Sequence, residues 1–172
     1  MGRRRTVAKL YANPAELIRN YIECRNQNDV HEMRGFFAPK MVVHFPPSAP
    51  VTHYRSADEF TQSIIDFRVA FCDWHEELLE LWGSEDKVVC RVVESGIQHG
   101  EYMGIAGTGK RVEFLSTTVF RVNTQQIFEQ WYMYDAVSIL QQLDVNEDYV
   151  ERKLFPDRFS GGNAMEAKRH EP

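Results

Sequence analysis

The residues best able to do chemistry in this chain lie in "EQWYMYDAVSILQQL", positions 129 to 143. One carboxylate, Asp135, stands there between an aromatic run (Trp131, Tyr132, Tyr134) and an apolar one (Val137, Ile139, Leu140, Leu143). Two roles fit it. As an N-cap, Asp accepts hydrogen bonds from the first amides of a following helix. Held in a dry pocket, it would lose hydration and its pKa would climb toward the working pH. It could then take a proton from the carbon beside a carbonyl and return it to the alkoxide or enol. Strand alternation places Asp135 on the face of Trp131 and Met133, the expected cavity face, with Phe128, Tyr132 and Tyr134 on the other.

Other candidates gather around it. His44, in "VVHFPP", reads either as a satisfied core or pocket histidine or as a partner that shuttles protons with Asp135. Gln98 and His99 are adjacent in a strand, so only one faces inward unless a bulge near Gly96 or Gly100 intervenes. Ser116 and Thr118 share parity with Phe114 and Phe120, giving a wall of alternating hydroxyl and ring. Phe45, Phe114 and Trp131 would grip a flat, polycyclic ligand. His31, His53 and His75 fall at expected surface positions. The six histidines show no HxH or HxxxH spacing, so no metal is expected. "GIAGTGK" approaches the phosphate-binding pattern, but Arg111 stands where Ser or Thr would be needed, and the stretch lies between two strands. A hairpin turn is the expectation. Ser116 lacks the G-x-S-x-G elbow of a serine hydrolase.

The chain that must position these groups has 172 residues, 43% hydrophobic and 26% charged, with net charge −5. One packed domain suits that length. The only basic run, "GRRR", sits at the N-terminus, which argues against a nucleic-acid groove. Three scattered cysteines imply neither zinc nor disulfides. No apolar run approaches the ~20 residues of a membrane span, and a cytoplasmic location is the expectation.

Three helix starts are legible. "NPAE" offers Asn13 as cap, Pro14 at the first position and Glu16 behind it, with Leu17, Ile18, Tyr21 and Ile22 as the buried face. "DVHE" repeats the signal at Asp29, with Val30, Met33, Phe36 and Phe37 apolar and Pro39 as the stop. "SADE" repeats it at Ser56, with Phe60, Ile64, Phe67 and Phe71 as the stripe. "MVVHFPP" reads as a short strand. Beyond residue 73 come four long strands, "WHEELLELWG", "KVVCRVVESGIQHGEY", "KRVEFLSTTVFRV" and "IFEQWYMYD", then a short helix after Asp135. Helices followed by antiparallel strands imply an α+β fold, a curved sheet around a helix-lined cavity. The expected organisation is a flexible basic segment at 1–12, the folded domain at 13–145, and a partly disordered extension at 146–172. Aromatics on both sheet faces suggest a homodimer through the outer face.

"SGIQHGEYMGIAGTGKRVEF" resembles the hairpin of SnoaL-like polyketide cyclases, and "FRVNTQQIFEQWYMYDAVSILQQL" is similar to that family's ending, an E-x-W-x-x-x-D strand running into a helix with Gln-Gln-Leu. The resemblance spans roughly residues 14 to 143. It implies the cone of the nuclear-transport-factor-2-like superfamily, an intramolecular aldol closure without metal or cofactor, and an acid–base carboxylate at Asp135. It also aligns Gln98 and Thr118 with polar positions often occupied by His. The expected activity is cyclisation or isomerisation of a polyketide-like or other polycyclic carbonyl compound. Dehydration or hydrolysis on the same scaffold is the alternative enzyme reading, and a non-catalytic small-molecule-binding module the alternative of another class.

Overall fold

A computed structural model describes residues 10–47, 49–146, 148, 149 and 152. Most of the expected flexible basic segment and of the expected C-terminal extension lies outside the described residues. The elements run α1 (Pro14–Gln27), α2 (Val30–Gly35), β1 (Phe37–His44), β2 (His53–Tyr54), α3 (Ala57–Ala70), β3 (Phe71–Ser84), β4 (Lys87–Gln98), β5 (Arg111–Val122), β6 (Ile127–Tyr134) and α4 (Ala136–Gln142).

Each helix begins where its side-chain acceptor stands. Asn13 accepts from the Glu16 amide at 2.9 Å, Asp29 from Glu32 at 2.8 Å and Ser56 from Glu59 at 3.2 Å. These bonds satisfy amides that have no partner within the helix. Leu17, Ile18, Tyr21 and Ile22 of α1 are buried, as their spacing requires. The second helix is shorter than expected. It ends at Gly35 with Phe36 as cap, and Phe37 already opens β1. Pro39 therefore lies within β1, in the stretch between Phe37 and Val42 where the register against β6 shifts. An irregular stretch tolerates a residue with no N–H to donate.

The six strands form one curved, unclosed sheet in the order β2-β1-β6-β5-β4-β3, parallel only between β1 and β6. This is an α+β architecture, with α1 and α3 on the concave face. The main core packs Leu17, Ile18, Tyr21, Phe37, Phe60 and Ile127 with their neighbours. A second cluster, around Phe71, Trp74, Val112 and Phe114, lies nearer α4. Gly96 permits the contact of β4 with Trp74, because a Cβ there would stand 2.5 Å from the indole Cε3.

Strand β6 corrects the expected faces. Ile127 and Gln130 are both buried although three positions apart, and Trp131 and Met133 are 36% and 56% exposed. The cause is a bulge: Arg121 pairs with Glu129 but Val122 with Ile127, so one residue of β6 is unmatched. An unmatched residue reverses the alternation beyond it. Gln130, Tyr132 and Tyr134 consequently face the concave side.

Candidate active site

The concave face and α1 and α3 enclose a cavity of about 270 Å³, near the lower end of the range for small-molecule pockets, ~300–1,000 Å³. Its walls are largely aromatic. Phe60 and Phe67 come from α3, Tyr102 from the β4–β5 loop, Phe114 from β5, and Tyr132 and Tyr134 from β6. Tyr132 and Tyr134 stack at 5.2 Å, and Phe45 meets Tyr132 edge-on at 5.4 Å.

The polar part of the cavity starts with two glutamates. Glu76 of β3 and Glu94 of β4 are register partners, both inward and 6% and 3% exposed. Like charges directly opposite are unfavourable, and the surroundings separate the pair into unequal halves. Glu76 is tied to a cation: Arg25 Nε donates to its Oε1 at 2.5 Å and Trp74 Nε1 at 3.2 Å. Asn26 clamps the same point, its Nδ2 donating to the Glu76 carbonyl and its Oδ1 accepting from the Glu76 amide, each at 2.8 Å. The last turn of α1 thus delivers Arg25 to Glu76. Arg25 also donates to the Tyr21 hydroxyl at 3.1 Å.

Glu94 is held by neutral hydroxyls instead. Tyr132 donates to its Oε1 at 2.6 Å, and Ser116 also hydrogen-bonds it. Burial pushes the Glu94 carboxyl up, the nearby Glu76 charge adds to the rise, and Arg25, Ser116 and Tyr132 pull against it; the result is about 7. Burial, and then the facing Glu94, push the Tyr132 phenol well above its ordinary value, so it stays a donor. Burial likewise pushes the Cys90 thiol up to about 12, which leaves it a neutral part of the wall. A carboxyl near 7 in a dry cavity is suited to accept and return protons at neutral pH.

Of the residues singled out from sequence, Ser116, Thr118, Phe45 and Phe114 line this cavity. The others do not. Asp135 is exposed and caps α4, accepting from the Ser138 amide at 2.9 Å. His44 lies on the opposite face, its Nε2 2.9 Å from Glu129 Oε1 and its ring stacked on Trp131 at 5.2 Å. The bulge in β6 is the reason Trp131 and Asp135 miss the cavity. Gln98 is inward and fully buried, but its amide is spent on the β4–β5 loop. It donates to the carbonyls of Ile105 and Ala106 at 3.1 and 3.2 Å and accepts from the Thr108 hydroxyl at 2.7 Å. His99 is exposed. The "GIAGTGK" stretch is the hairpin connection that was expected, and Gly107 is required in it, since a Cβ would fall 1.9 Å from the His99 carbonyl oxygen.

The residues that sequence reasoning passed over are Glu94, Glu76, Arg25 and Gln130, while Tyr132 was expected on the other face. Glu94 carries a readable signal. In "VVCRVVESG" the alternation Val88, Cys90, Val92, Glu94, Gly96 puts a carboxylate where an apolar side chain is due. Nothing local reveals that Arg25, in a helix 51 positions before Glu76, closes over its partner.

Among the described residues, no group of three or more His, Cys, Asp or Glu side chains is disposed to hold a metal ion. No described helix is long and apolar enough to cross a membrane.

Comparison with known proteins agrees with this fold. IdmH of Streptomyces antibioticus, a provisional polyketide cyclase, is similar at 27% identity over 77% of this chain and 99% of its own, with a TM-score of 0.68. An NTF2-like protein from Burkholderia thailandensis shares the fold at 20% identity, over 78% of this chain and 98% of its own, with a TM-score of 0.66. A protein of ketosteroid isomerase-like fold from Catenulispora acidiphila, solved with trimethylamine, shares it at 13% identity, over 77% and 95%, with a TM-score of 0.65. No curated protein matches the chain. The family model for SnoaL-like polyketide cyclases matches residues 15–143, and the chain belongs to that family.

Proposed function

We propose that this protein is a cofactor-independent acid–base enzyme, a cyclase or isomerase of a polyketide-like or other polycyclic carbonyl compound, with Glu94 as the proton carrier. The carrying observation is Glu94 itself, a buried carboxyl opposite Glu76, near 7, with the Tyr132 hydroxyl 2.6 Å away inside an aromatic cavity. As carboxylate, Glu94 takes a proton from the carbon next to a substrate carbonyl. Hydroxyls of the wall, with Thr118 the nearest in register to Tyr132, donate to the developing enolate oxygen, where such donors lower the barrier most. If the enolate carbon attacks a second carbonyl of the same molecule, a ring closes and Glu94 returns the proton to the alkoxide. If the proton returns to another carbon, the product is an isomer. The cavity's shape selects between them.

The test uses 1-tetralone and 5-androstene-3,17-dione as probes. Deuterium uptake at the α-carbon is read by mass spectrometry and enone formation by absorbance. Wild-type protein should accelerate at least one of them, and Glu94→Gln should lower that rate by about 100-fold or more. Asp135→Asn should leave it within about twofold. Turnover that survives Glu94→Gln would remove Glu94 from the mechanism.

The same reading takes a second copy of the chain as partner through the outer sheet face, where Trp131, Met133 and Leu115 are exposed. Large apolar side chains left exposed on one sheet face suit an interaction surface. Sedimentation of the wild type at the monomer mass of 20.1 kDa across micromolar concentrations would refute it.

A further inference from the structure

Gln130 lies on the inward side of β6, in register with Phe120 of β5, and it is 4% exposed. It lines the cavity, and its Oε1 has no hydrogen-bond partner among the described residues. Buried polar atoms are nearly always satisfied, and a buried acceptor left alone is destabilising. Beside Phe120 an apolar side chain of the same length would pack without that penalty. The retained amide therefore points to a group that arrives from outside the chain. An amide oxygen only accepts, so the arriving group must be a donor.

Its position says where on the ligand that donor sits. Tyr132, which reaches Glu94, is two residues further along the strand, about 7 Å away at the usual rise. A ligand whose reacting carbonyl approaches Glu94 and Tyr132 thus extends a second part toward Gln130, at about the end-to-end carbon length of three fused rings. Cys90, Thr118 and Phe45 also line the cavity, Phe45 edge-on to Tyr132, which suits flat aromatic rings.

We propose that Gln130 Oε1 accepts a hydrogen bond from a hydroxyl that the substrate carries at that distance from its reacting carbonyl, so that Gln130 selects hydroxylated substrates over their ethers and unsubstituted analogues. This rests on the polycyclic-carbonyl reading of the cavity given above. The amide touches the substrate but takes no part in the proton transfer, which stays with Glu94.

The experiment is calorimetric titration of the full chain with 2-hydroxyanthraquinone, its methyl ether 2-methoxyanthraquinone, and unsubstituted anthraquinone. The methyl ether keeps the oxygen and removes only the donor. Wild-type protein should bind the hydroxy compound about tenfold more tightly than either analogue. In Gln130→Met that ratio should fall to about one. Gln130→Asn, which draws the amide back by one methylene, answers the same question if the methionine variant does not fold. A wild-type ratio near one, or a tenfold ratio that persists in the variants, overturns the assignment of Gln130 and leaves the polycyclic reading standing. Failure of all three quinones to bind the wild type overturns the polycyclic reading, and the role of Gln130 with it.

Discussion

Replacing Glu94 by Gln should change how stability responds to pH, and the size of the change follows from the site. An ordinary Glu titrates near 4.5 and Glu94 titrates near 7. A carboxyl whose folded value is raised favours the native state while protonated, and that advantage is lost as pH rises through the folded value. Between pH 4.5 and 7 the unfolded chain releases this proton and the native protein retains it. At 1.36 kcal/mol per pH unit, wild-type protein should lose about 3 kcal/mol of stability from this group between pH 4.5 and pH 8. Gln has the same shape, keeps an oxygen that can accept from Tyr132, and does not titrate. The stability of Glu94→Gln minus that of wild type should therefore climb by about 3 kcal/mol over the same span, on the order of 6–12 °C in melting temperature. Ionisable groups away from Glu94 are common to both proteins and cancel in the difference. Urea unfolding of the pair at half-unit steps from pH 4.5 to 8.5 reads it directly. Two parallel curves would mean that Glu94 titrates normally and that burial and Glu76 do not raise it.

Other perturbations reach different parts of the same structure. Tyr132→Phe removes a donor that pulls the Glu94 carboxyl down, so the ascending limb of the rate–pH profile should move to higher pH; an unmoved limb would mean that the hydroxyl does not act on Glu94. Gly96→Ala sets a methyl 2.5 Å from Trp74 Cε3 and should destabilise by about 1–3 kcal/mol through overpacking, as thermal melting would show. Gln98→Ala strips the β4–β5 loop of its side-chain staple. It should lower stability by about 2–3 kcal/mol and speed amide exchange at Thr108, while equal exchange in both proteins would deny the staple.

The helix starts were legible because each is written locally, in an acceptor side chain three residues before the amide it serves. The strands of β3, β4 and β5 were legible from their length and turns. Asp135 was legible as a cap for the same local reason, and the cap is what the structure contains. What local pattern does not encode is phase. Nothing in "IFEQWYMYD" marks the unmatched residue between Ile127 and Glu129, and so Trp131 and Asp135 were expected inside while Gln130, Tyr132 and Tyr134 were not. The Glu76–Arg25 pair was hidden for another reason, since it joins a helix end to a strand that packing alone brings together.

That unmatched residue in β6 has a consequence for how such a site changes over time. Substitutions at 130, 132 or 134 alter one wall group at a time. Loss of a single codon within 127–129 would instead rotate the rest of the strand by half a turn of its pleat, withdrawing an amide and two phenols and presenting an indole and a thioether. The whole lining would be exchanged in one genetic event, with the sheet's hydrogen bonds largely kept. A strand of this kind offers two pockets in one sequence, and the bulge decides which is expressed.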